Sequence, residues 1–199
     1  MARDRASRPE AKPLRLFVAV DVPDRVKAGL ASAVAPYRER IPGARWTGSE
    51  GWHVTLKFLG ATWPRLVETV HEAVQAAAAA STPFESRLSE MGVFPSPVRA
   101  RVVWAGLEDT KGLFASMVER LDDLLAEHFV PEKRAFTPHL TLARLNPPRN
   151  IREFTPELVG LAVPSEPFAV DRLVLYRSRL SPKGATYEQL LNAPFATPA

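Results

Sequence analysis

Two eight-residue segments, His53-Val54-Thr55-Leu56-Lys57-Phe58-Leu59-Gly60 and His139-Leu140-Thr141-Leu142-Ala143-Arg144-Leu145-Asn146, stand 86 residues apart and agree at four positions. A repeat of this kind constrains architecture more than local propensity does, because it demands two equivalent units that bury each other. The same offset carries residues 15–20 (RLFVAV) onto 101–106 (RVVWAG), and both runs are short, apolar and β-rich. A helical pattern separates each run from its His-x-Thr segment. In the first copy Val26, Leu30, Ala33, Val34 and Tyr37 recur at spacings of three and four, and Pro23 is placed to open the helix. In the second, Leu113, Met117, Val118, Leu121, Leu124, Leu125 and Phe129 do the same. A further helix is predicted over 64–80 and a weaker one over 151–160, and residues 83–88 and 167–173 read as closing strands. The expectation is an α+β fold duplicated about a pseudo-two-fold axis, with copies covering roughly 14–98 and 99–184.

The length, 199 residues, suits one bilobal domain over 14–199. Charges break every apolar run, so no membrane span is expected. Residues 1–13 are basic with no apolar segment behind them, which predicts a disordered tail rather than a secretion signal, and a cytoplasmic protein. Arg3, Arg5, Arg8 and Lys12 against Asp4 and Glu10 give this tail +2 of the chain's net +4, a modest excess compatible with a polyanionic partner. With no cysteine, disulfides, thiolate zinc sites and thiol nucleophiles are excluded.

In a strand, residues i and i+2 share a face. His53 and Thr55 therefore stand together, with Val54, Leu56 and Phe58 expected on the back, and His139 and Thr141 repeat the arrangement. If the two strands meet across the axis, two imidazoles and two hydroxyls line one cleft. Imidazole titrates nearest neutral pH, so one ring can act as general base and the other as general acid. Displacement at phosphorus needs both roles at once, and threonine hydroxyls can hydrogen-bond the non-bridging oxygens. The set reads as phosphoester chemistry with no metal and no cofactor.

Other motifs fail. His71-Glu72-Ala73-Val74-Gln75 lacks the second histidine of a zinc helix, Gly48-Ser49-Glu50-Gly51 lacks the lysine of a phosphate loop, and no Gly-x-Ser-x-Gly elbow occurs. His71 and His128 read as ordinary structural or surface residues. Lys57 falls on the His53 face by strict alternation and reads as an exposed lysine.

The paired motifs, with residues 15–20, 52–60, 101–106, 136–144 and 175–180, resemble the two-histidine phosphoesterase superfamily, in particular its bacterial RNA 2′,3′-cyclic phosphodiesterase branch, historically called 2′-5′ RNA ligase. The resemblance implies two lobes, each an antiparallel sheet backed by helices, with the cleft between them. It implies hydrolysis of a terminal 2′,3′-cyclic phosphate on RNA to a 2′-phosphomonoester, with a reversible ligation as a second capability, by a monomer acting on RNA 3′ ends or related cyclic nucleotides. In the family's scheme His53 is the proton donor, His139 the proton acceptor, and Thr55 and Thr141 hold the phosphate; the residues alone leave the acid and base assignment open. An arginine after the second motif, here Arg144, contacts substrate, although its separation of five from His139 requires a bulge, the strand end or its own length to bring it round. Phe17 is a candidate platform for stacking a base. Two other readings stay open: a non-catalytic module that binds RNA ends, and a phosphodiesterase acting on a small nucleotide such as an ADP-ribose cyclic phosphate.

Overall fold

The structure, a computed structural model, describes residues 12–161, 163, 166–182 and 184–196. The tail expected at residues 1–13 lies, but for its last two residues, outside them. Ten strands occur among the described residues: β1 (Leu14–Asp21), β2 (Ala44–Trp46), β3 (His53–Thr62), β4 (Phe84–Ser86), β5 (Leu88–Phe94), β6 (Ala100–Leu107), β7 (His139–Arg149), β8 (Phe168–Val170), β9 (Arg172–Ser181) and β10 (Gly184–Pro194). The helices are α1 (Asp24–Val34), α2 (Val67–Ala79), α3 (Leu113–Leu125) and the single turn α4 (Thr155–Val159). None of these helices is long and apolar enough to cross a membrane.

One antiparallel sheet runs in the order β10, β9, β1, β3, β7, β6, β5, with β2 added beside β7. The order is nearly a palindrome about the join between β3 and β7. That join is a single paired position, Val54 opposite Leu140, which are equivalent under the 86-residue offset. Away from the sheet β4 pairs with β8, where Glu85 stands opposite Ala169, again near-equivalent at an offset of 84. Two antiparallel contacts that pair equivalent positions define a local two-fold axis through both.

The two halves of the sheet do not follow the halves of the chain. β5 leaves the first copy to pair with β6, and β9 leaves the second to pair with β1, carrying β10 on its other edge. This exchange commits both copies to one continuous core. Helix α2 buries Val70, Ala73, Val74, Ala77 and Ala78 at spacings of three and four, and it packs on β9, β10 and α3. Helix α3 buries Phe114, Met117, Val118, Leu121 and Leu125 and packs against β3. The Asp109 carboxylate accepts hydrogen bonds from the first free backbone N–H groups of α3, those of Phe114 and Ala115, at 3.2 and 3.3 Å. These two helices therefore hold the back of the sheet, and the front is left for chemistry.

Candidate active site

His strands β3 and β7 overlap only at their first residues and then run apart into opposite halves of the sheet. Around the pair Val54 and Leu140, whose side chains enter the core, the antiparallel sense sets His53 across from Thr141 and Thr55 across from His139. Flanking strands extend these two rows on the front face. Asp21 pairs with His53 and Trp104 with Thr141; Ala19 pairs with Thr55 and Gly106 with His139. The two imidazoles are diagonal neighbours, a relation that in a regular ladder separates Cβ atoms by about 7–8 Å.

Both rings are anchored two residues upstream, at repeat-equivalent positions. The His139 Nδ1–H donates to the Thr137 carbonyl at 2.7 Å, and the Gly51 carbonyl is the corresponding partner of His53. A carbonyl can only accept, so for His139 the bond fixes the tautomer and leaves Nε2 with its lone pair.

Aromatic walls hold the rings in place. Phe17 stacks on His53 with centroids 4.7 Å apart and on Tyr176 at 5.3 Å, while Tyr187 meets His53 edge-on at 5.0 Å. On the other side Phe94 and Trp104 meet His139 edge-on at 5.2 and 6.2 Å and stack on each other at 4.9 Å. A cavity of about 280 Å³ opens beside His53, lined by Asp21, Lys27, Glu50, Trp52, Tyr176, Tyr187 and Gln189. In it the Tyr176 hydroxyl donates to both Asp21 oxygens at 2.8 and 2.9 Å, and burial with the Asp21 charge pushes the phenol up.

Burial is the main force on the imidazoles. It pushes His53 down to about 4, with Lys27 and Arg144 adding repulsion, and it lowers His139 with help from Arg144. Both shifts favour the neutral imidazole at pH 7. The unfolded chain binds these protons near pH 6.5, so the folded form gains full stability above that pH and loses it as the pH falls toward 4. For His53 this amounts to at most about 3 kcal/mol, less what residual solvent contact screens. Urea unfolding at pH 7 and pH 4.5 should therefore show a larger acid loss in the wild type than in His53→Gln; equal losses would refute this account.

Two β-bulges decide which other side chains reach the front. In β7 the register slips at Leu142, so that Thr141 faces Trp104 while Ala143 faces Val103. Alternation is reset, Ala143 turns into the core, and Arg144 emerges exposed on the histidine face. Its charge is felt by both rings. The bulge needed to bring Arg144 round is thus present.

The equivalent slip at Leu56 in β3 has the same result and overturns two expectations. Lys57 is not an exposed front-face lysine. It is turned inward, 6% exposed, and pairs with Asp122 of α3. Phe58, expected on the back face, is instead 61% exposed. Phe17 also needs correcting: at 2% exposure, packed against His53, Tyr176 and the edge of Tyr187, it has no free face for a base. Thr55 and Thr141 are half-buried on the front as expected. Asp21, Lys27, Tyr187 and Phe94 carried no separate signal, since each comes from a strand or helix far from either motif. Trp104 and Tyr176 lay within segments that the family resemblance already marked.

A sequence profile of the 2′-5′ RNA ligase superfamily matches residues 28–181. The chain belongs to this superfamily. It is 32% identical over 185 residues to a protein of Methanothermobacter thermautotrophicus named RNA 2′,3′-cyclic phosphodiesterase, covering 89% of this chain and 96% of that one. A protein of Geobacillus stearothermophilus with the same name is 30% identical over 89% of this chain, which spans 56% of that longer relative. Among solved structures, a protein of Thermus thermophilus superposes with a TM-score of 0.78 at 28% identity, covering 92% of this chain and 98% of that one. The superfamily's duplicated α+β fold is the one described above.

Proposed function

We propose that this chain is an RNA 2′,3′-cyclic phosphodiesterase that converts a terminal 2′,3′-cyclic phosphate to a 2′-phosphomonoester. The observation that carries the reading is the meeting of both His-x-Thr segments on one face, through the pair Val54 and Leu140. The names of the relatives support it.

Water attacks phosphorus in line with the P–O3′ bond while His139 Nε2 takes its proton. That bond breaks, and His53, as the superfamily scheme has it, delivers a proton to O3′. Thr55, Thr141 and Arg144 hold the non-bridging oxygens. The lowered proton affinity of both imidazoles suits this cycle. A cyclic phosphodiester is a monoanion, and its charge between the rings favours the imidazolium the leaving group needs. With an RNA 5′-hydroxyl in place of water, the same steps form a 2′-5′ phosphodiester, and dilute ends leave hydrolysis dominant. Phe17 acts beneath His53, fixing the ring plane. Both His-x-Thr segments belong to one chain, so the proposed reaction needs no residue from a partner.

Incubation with adenosine 2′,3′-cyclic monophosphate, with a chelator and no added metal, should yield the 2′-monophosphate alone. The 3′ isomer, or no turnover at all, would overturn the reading.

A further inference from the structure

Cross-strand neighbours of like charge destabilise a sheet, so such a pair on an open face calls for an explanation. Arg45 of β2 stands directly opposite Arg144 of β7. The front-face row then continues through Val102 of β6 to Phe94 of β5. Both arginines are exposed, and among the described residues neither forms an ion pair or a side-chain hydrogen bond. Two other arginines of this segment are engaged: Arg38 lies over the Trp46 ring, and Arg40 is held by Glu157 in a two-pronged pair. Among the described residues, therefore, no carboxylate is paired with either arginine to relieve the repulsion between them.

The position of the pair says what relieves it. Arg144 acts on both imidazoles and so reaches toward the reacting phosphate. Arg45 stands on the neighbouring strand directly opposite Arg144, so its guanidinium extends the same positive face by one strand beyond β7. Guanidinium groups suit phosphate oxygens through paired N–H donors.

We propose that Arg45, beside the Arg144 that holds the reacting phosphate, forms a second phosphate subsite that takes the phosphodiester adjoining the reactive end, so that the preferred substrate is an oligonucleotide rather than a mononucleotide. This rests on the reading of the preceding section. The test compares kcat/KM for adenosine 2′,3′-cyclic monophosphate with that for the dinucleotide ApA ending in the same cyclic phosphate.

The wild type should favour the dinucleotide, and Arg45→Gln should cut that preference about tenfold, mainly through KM. The dependence of log kcat/KM on log salt for the dinucleotide should become shallower by about 0.7, the release expected for one phosphate contact on a single strand. Partial recovery in Arg45→Lys would fit a phosphate contact. A preference unchanged in Arg45→Gln, or a loss shared equally by both substrates, would overturn the subsite while leaving the hydrolytic reading intact. Absence of wild-type turnover on either substrate would instead strike the hydrolytic reading itself.

Discussion

His53→Ala or His139→Ala should each lower hydrolysis of a 2′,3′-cyclic nucleotide by about 10²- to 10⁴-fold, the range a positioned general acid or base supplies. The two losses should not multiply in the double variant, because acid and base act in one concerted displacement and removing either already disables it. Folding should survive. Each ring sits on the front face, outside the main core, and its loss costs a stacking or edge contact of about 0.5–1.5 kcal/mol. Circular dichroism and a thermal melt alongside the rate measurement separate lost chemistry from lost structure. Full activity in either folded variant would mean that the two rings do not flank one phosphorus atom.

How far a sequence can be read is set here by which interactions are local. The 86-residue offset is a property of the string, so the equivalence of β3 with β7 and the shared face of His53, Thr55, His139 and Thr141 were open to inspection. Pairing partners were not. Nothing in residues 88–94 says that they will leave their own copy for β6, and nothing in 172–194 points to β1. Bulges were half legible. Arg144 at a separation of five from His139 already demanded one, and the repeat carries that demand to Phe58 at the same separation from His53. Applied to both copies, it would have turned Lys57 inward and Phe58 outward before any coordinates. The burial of Phe17 was beyond such reasoning, because its neighbours Tyr176 and Tyr187 arrive from the far end of the chain.

The inward turn of Lys57 leads to the largest expected effect on stability. Its ammonium is nearly inaccessible, and its partner Asp122 lies on the buried side of α3, the helix that backs the His53 strand. Asp122→Ala leaves that charge buried and unpaired, a change expected to cost about 3–5 kcal/mol, whereas the intact pair roughly balances its own desolvation. Lys57→Met with Asp122→Leu removes both charges and should recover most of the loss, since an apolar pair of similar volume needs no compensation. Urea unfolding of Lys57→Met, Asp122→Leu and the double gives the coupling directly. If Asp122→Ala were as stable as the wild type, Lys57 would have another outlet for its charge, and the bulge at Leu56 would not be tied to α3 in the way its geometry indicates. If the double variant folds but turns over substrate slowly, the ion pair also serves to hold His53 in register, because the same slip that buries Lys57 fixes where the strand presents its front face.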